Sequence, residues 1–125
     1  MELADFYEQV TTRDCCDDVT TEHAVHAVLA ALALRLDPDE AAGIRRALPK
    51  ELRTLLQDAD AFHPFDQDEF IEDVASRLDI DDEDAERVTL SVLGAVRDAI
   101  RPRRTRQQVI EALPSDLAHL MHTLP

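Results

Sequence analysis

Apolar residues recur along this chain at three- and four-residue intervals, which is the spacing of a helix that buries one face. Leu3, Phe6, Tyr7 and Val10 predict a helix over residues 2–12. Asp17 is the expected N-cap of a long helix reaching Leu36, with Ala24, Val25, Val28, Leu29 and Leu32 on its apolar face. Asp37-Pro38 ends that helix and starts the next, because Asp caps and Pro at the first helical position loses no hydrogen bond. A short helix runs to Leu48, and Pro49 opens another that carries Leu52, Leu55 and Leu56. Residues 58–68 form a linker, in which Phe62 and Phe65 are expected to pin one half of the chain to the other. Four more helices follow. Phe70, Ile71, Val74 and Leu78 mark the first. Asp81, with Asp84 three residues on, caps a second that runs through Val88, Val92, Leu93 and Val96 to Ile100. Pro102 and Pro114 start the last two. Nothing alternates with the period of a strand.

The second set of helices is a copy of the first. At an offset of 64 residues Phe6 falls on Phe70, Val10 on Val74, Val28 on Val92, Leu29 on Leu93, Leu32 on Val96, Leu36 on Ile100 and Pro38 on Pro102. One inserted residue later, Leu48-Pro49 falls on Leu113-Pro114 and Leu52 on Leu117. The expected fold is therefore all-α, a single domain over 1–125 built from pseudo-symmetric four-helix halves at 5–57 and 69–122. The repeat also serves as an internal control. A residue whose counterpart does the same job is structural, and one without a counterpart is a candidate for function. Gly94, whose counterpart is Ala30, reads as a site of close helix–helix packing.

Composition sharpens this picture. A chain of 125 residues can fold around its own core without metal or disulfide. Aromatics are only 4%, so Leu, Val and Ala must fill that core. The net charge is −14, spread as −7 on residues 1–64 and −7 on 65–125, so there is no acidic tail or basic arm. Asp outnumbers Glu by 17 to 10, and the basic residues are 12 Arg and a single Lys, Lys50. Abundant carboxylates with almost no Lys resemble the proteins of salt-accumulating halophiles, in which acidic surfaces stay hydrated and molar salt screens their repulsion. The opening MELADFYEQV lacks the basic and apolar regions of a signal peptide, and no apolar run approaches a membrane span. A cytoplasmic location is expected.

Few residues carry recognisable chemistry. Cys15-Cys16, with His23 and His26 in the following helix, make a nominal Cys2His2 set. Adjacent cysteines do not have the two-to-four-residue separation of zinc fingers, and neighbouring Asp14, Asp17 and Asp18 disfavour a thiolate. Cys16 aligns with Ile80 and reads as a small apolar staple. His119 and His122 are a second i, i+3 pair, without a carboxylate or thiol beside them in sequence, and His63 has no assigned role. Asp79, Asp81, Asp82, Glu83 and Asp84 fail as a calcium loop, because position six is Asp84 and position twelve is Leu90; they suit a helix N-terminus instead. Gly-rich phosphate loops and nucleophile elbows are missing. Arg101, Arg103, Arg104 and Arg106 form the one basic cluster, and their counterparts are Asp37, Asp39, Glu40 and Ala42. That asymmetry marks them as partner-contact candidates, which could face an acidic partner protein, a second copy of the chain, the other half of the same chain or a phosphate near the helix start. Nucleic acid is disfavoured, since the rest of the surface repels phosphate and no aromatic stripe accompanies the arginines.

The segments Asp5-Phe6-Tyr7-Glu8-Gln9-Val10 and Glu69-Phe70-Ile71-Glu72-Asp73-Val74, the paired long helices, and the Leu-Pro-x-(Glu/Asp)-Leu signatures at 48–52 and 113–117 together resemble domain-of-unknown-function family 2267. The resemblance covers about residues 4–122 and implies a tandem all-helical fold, as in small prokaryotic proteins, with no established activity. This chain departs from its own repeat at Cys15-Cys16, opposite Asp79-Ile80, and at Arg103-Arg104, opposite Asp39-Glu40. The expectation is a non-enzymatic interaction or adaptor module without cofactor, in a stress-related setting. The alternative is a thiol- or metal-responsive protein using Cys15, Cys16, His23 and His26.

Overall fold

The computed structural model describes residues 2–13 and 19–124. Among them are eight α-helices and no strand: α1 (Leu3–Thr11), α2 (Thr21–Ala33), α3 (Pro38–Ala47), α4 (Lys50–Arg53) continued by a 3-10 turn (Thr54–Leu56), α5 (Gln67–Leu78), α6 (Asp82–Ala99), α7 (Arg103–Glu111) and α8 (Ser115–Thr123). The all-α class expected from the periodicity is the one observed.

Helix starts follow local chemistry. Asp37 accepts a hydrogen bond from the Glu40 N–H while the Glu40 carboxylate accepts from the Asp37 N–H, a reciprocal capping box with Pro38 at the first helical position. Asp66 and Asp81 cap α5 and α6 in the same way from one side, accepting from the N–H groups of Glu69 and Asp84. The Asp84 carboxylate does not return to Asp81; it pairs with Arg87 at 2.8 Å. The cap expected at Asp17 lies outside the described residues, and α2 is capped by Thr20, whose hydroxyl accepts from the His23 N–H. That helix also ends earlier than expected, at Ala33. The carbonyls of Ala33 and Leu34, released there, accept from the N–H groups of Asp60 and His63, so the linker closes the end of α2.

One hydrophobic cluster runs through all eight helices. α2 packs on α1, α5 and α6, and α6 packs on α1, α2, α3, α5 and α8, so these two helices are the centre of the molecule. Leu29, Leu32, Leu36, Leu93 and Ile100 are fully enclosed, as are Phe6 and Phe70. The linker departs from expectation. Phe65 is buried and stacks on Phe70 with ring centroids 5.2 Å apart, but Phe62 is 67% exposed and pins nothing. Gly94 also has a different neighbour from the one expected. A Cβ there would lie 2.8 Å from Arg13 Nε, so the small residue makes room for the Arg13 side chain, which crosses α6 to pair with Asp98.

α5 ends on Asp79 in the left-handed conformation, at φ 55° and ψ 49°, with its N–H bonded to the Ala75 carbonyl. A non-glycine residue is strained there. Asp79→Gly is expected to raise stability by about 0.5 kcal/mol, the relief of strain exceeding the entropy cost of glycine. Chemical denaturation of the two proteins checks it, and a loss of stability would contradict this account of the cap.

Candidate functional site

The arginine cluster sits where α6 turns into α7. Ile100, extended and buried, ends α6, and the chain passes Arg101 and Pro102 before α7 begins. Pro102 precedes the first helical residue instead of occupying it, and it supplies no side-chain acceptor for the free N–H groups. The first turn of α7 contains no acidic residue; it holds Arg103, Arg104, Thr105 and Arg106. Cations at that position oppose the positive end of the helix dipole. The corresponding turn of α3 carries Asp39 and Glu40, where the dipole favours them.

The four arginines divide into two pairs. Arg106 Nε donates to the Ile100 carbonyl at 3.1 Å, and Arg101 Nε donates to the Asp98 carbonyl at 3.4 Å. Both thus close carbonyls left open at the end of α6. Arg103 and Arg104 are exposed and make no hydrogen bond or ion pair with any described residue. They share this with Arg45 and Arg46 on α3, whose side chains also make no hydrogen bond or ion pair among the described residues.

Beside them lies a groove of about 680 Å³. Its walls come from α1 (Asp5, Glu8, Gln9), from α3 (Gly43, Arg46, Ala47) and from the α6–α7 corner (Ala99, Ile100, Arg101, Thr105, Val109). Polar and apolar groups line it in similar measure, with Asp5 and Glu8 facing it alongside Arg46 and Arg101. Gly43 sets the width of one wall: a Cβ there would come within 3.1 Å of both Val109 methyl groups, so glycine lets α7 approach α3. Sequence reasoning passed over Gly43, although a glycine in the interior of a short helix is a signal of close approach.

The other candidates are not assembled into a site. Cys15 and Cys16 lie outside the described residues. His23 is exposed and His26 half-buried on α2, and His119 and His122 are both exposed on α8. Among the described residues, no group of three or more His, Cys, Asp or Glu is arranged to hold a metal ion. The acidic cluster is used by the fold, with Asp79 ending α5 and Asp81 capping α6. Tyr7 is the one phenol, and its pKa is raised by burial and by the nearby carboxylates of Glu22 and Glu51.

The structure also holds a polar cluster that the sequence does not announce. Arg35 is 6% exposed and its Nη1 bonds Asp73 at 2.9 Å and the Ala31 carbonyl at 2.8 Å. Asp73 also accepts from Arg77 at 2.9 Å, and the Arg35 guanidinium lies 5.3 Å from the centre of the Phe70 ring. This cluster joins α2 to α5 and is structural. Its one visible signal is the i, i+4 pair Asp73–Arg77.

Comparison with known proteins adds one match. The family described as "Uncharacterized conserved protein (DUF2267)" matches residues 3–120. No curated protein matches the chain, and no solved structure does. No helix among the described residues is long and apolar enough to cross a membrane.

Proposed function

The chain belongs to the DUF2267 family of uncharacterized conserved proteins, and from that premise we propose that it is a non-enzymatic interaction module of a salt-rich cytoplasm, with the start of α7 as its contact face. The observation that carries this reading is the pair Arg103 and Arg104, exposed, unpaired among the described residues and set against the helix dipole. A local rule broken without compensation inside the fold is a feature of functional surfaces. Arginine suits the role, because its planar fork grips carboxylates through two parallel hydrogen bonds, and such contacts at van der Waals distance persist where salt removes longer-range attraction. The partner is accordingly a protein with a carboxylate-bearing surface.

The test is affinity capture from native lysate in molar KCl with the unmodified protein and with Arg103→Glu/Arg104→Glu. A partner held by the first is expected to fall by about tenfold or more in the second, the effect of losing close charge pairs worth more than 1.4 kcal/mol. Both side chains are exposed and unpaired among the described residues, so the variant should keep its helical circular-dichroism spectrum and unfold within about 0.5 kcal/mol of the original. Capture unaffected by the reversal would overturn the proposal.

A further inference from the structure

The 13 basic side chains are divided unevenly over the molecule. Five are absorbed in ion pairs: Arg13 and Arg97 with Asp98, Arg35 and Arg77 with Asp73, and Arg87 with Asp84. The other eight fall in two short stretches, four between residues 45 and 53 and four between 101 and 106, and none of them has an ion pair with a described residue. Both stretches together contain a single carboxylate, Glu51, in a chain that holds 27.

The stretches are far apart in sequence, and the fold brings them side by side. The first covers the end of α3 and all of α4; the second is the α6–α7 corner. α3 packs on both α4 and α7, and Gly43 lets α7 approach at Val109. Arg46 from one stretch and Arg101 from the other line the same groove. Arg46, Arg101, Arg103 and Arg104 are exposed, and Arg45 is half-buried. Asp5 and Glu8 line that groove from α1 without pairing with either arginine, so they bound the cationic region on the α1 side. The chain thus collects its uncompensated cations on one seam while its remaining surface is strongly acidic. Like charges gathered in this way repel one another, and nothing among the described residues offsets that cost.

We propose that the contact face on α7 continues across the seam to α3 and receives an acidic polypeptide segment, whose carboxylates meet Arg45 and Arg46 as well as Arg103 and Arg104. The inference rests on the reading of α7 as a contact face and specifies what lies on it. Cations spread over two helices call for a segment that carries several carboxylates. Nucleic acid matches the seam less well. It binds largely through release of counterions, which concentrated salt abolishes, and the acidic remainder of the surface repels it. Guanidinium–carboxylate forks act at contact distance and survive screening.

A synthetic peptide of alternating Glu and Ala, titrated into the full chain in molar KCl, tests this through the arginine Nε–H resonances. Those of Arg45, Arg46 and Arg101 are expected to move together with those of Arg103 and Arg104, while those of the paired Arg77 and Arg87 stay in place. A Gln/Ala peptide should move none. Arg45→Gln/Arg46→Gln is expected to weaken the Glu/Ala peptide about fivefold, the effect of two exposed charge pairs, with an unchanged circular-dichroism spectrum. Shifts confined to Arg103 and Arg104 would overturn the seam and leave the α7 contact face standing. An absence of shifts, equal shifts at Arg77 and Arg87, an affinity unchanged in the double variant, or tighter binding of a single-stranded oligonucleotide would also overturn it. The α7 reading fails separately, through capture that survives Arg103→Glu/Arg104→Glu.

Discussion

Phe70→Ala should cost more than 4 kcal/mol of folding stability, against about 3–5 kcal/mol for Phe6→Ala at the repeat position. Both rings are fully buried, so the cavity and transfer costs are alike. What differs is the company each keeps. Phe65 stacks on Phe70, and the buried Arg35 guanidinium lies over its face. An aromatic pair adds about 0.5–1.5 kcal/mol, and a desolvated cation over a ring adds about 2 kcal/mol. Arg35 makes the loss harder to absorb. Its charge is enclosed, its Nε has no partner among the described residues, and Asp73 and the Ala31 carbonyl are its remaining hydrogen-bond partners. Domains of this size have about 5–15 kcal/mol in total, so Phe70→Ala should be marginal while Phe6→Ala stays folded. Denaturant titration of the pair in molar KCl checks the order; equal losses would mean that the Arg35–Phe70 contact contributes nothing.

Removing salt should have an effect of similar size. The chain holds 27 carboxylates against 13 basic groups. Several carboxylates are absorbed locally: Asp98 by Arg13 and Arg97, Asp73 by Arg35 and Arg77, and Asp84 by Arg87. Most of the rest are exposed and repel one another. At molar ionic strength the screening length is about 3 Å, and at 0.01 M it is about 30 Å, comparable to the diameter of a small domain. Transfer from molar to about 0.01 M KCl therefore brings every carboxylate into repulsion with the others, at an expected loss on the order of several kcal/mol. Thermal melts followed by circular dichroism across a KCl series should show the midpoint falling steadily as salt is withdrawn. A midpoint independent of KCl would contradict the halophilic reading of the composition.

Much of the fold was legible because helix periodicity and caps are local properties. Asp37-Pro38 and Asp81 announce helix starts through interactions that reach only three residues, and the structure has both. The burial of Phe6, Val10, Val28 and Leu29, and of Phe70, Val74, Val92 and Leu93 at their repeat positions, follows from the three- and four-residue spacing. Departures arose where the deciding partner is distant in sequence. α2 stops at Ala33 because the linker supplies its carbonyls with N–H groups. Gly94 faces Arg13, which belongs to the other half of the chain. Arg35 reads as a surface residue until α5 brings Asp73 and Phe70 to it. Phe62 and Phe65 look alike in the sequence, and only the packing of Phe65 on Phe70 separates a core residue from an exposed one. The proposed contact face has a different signal in the sequence. At the 64-residue offset Arg103 and Arg104 fall opposite Asp39 and Glu40, and that reversal of charge is visible in the sequence alone. The groove was not, since it is assembled from α1, α3 and the α6–α7 corner.

If the proposed function holds, Arg103 and Arg104 are covered by a partner in the cell. Arginine footprinting with a dicarbonyl reagent tests it most directly, applied in molar KCl to purified protein and to protein in fresh native lysate. Arg53, exposed and bonded through Nε to the Leu48 carbonyl, is the internal reference. Arg103 and Arg104 are expected to react readily in the purified protein and to be protected in lysate, while Arg53 is unchanged. Equal labelling of Arg103 and Arg104 in both preparations would contradict it.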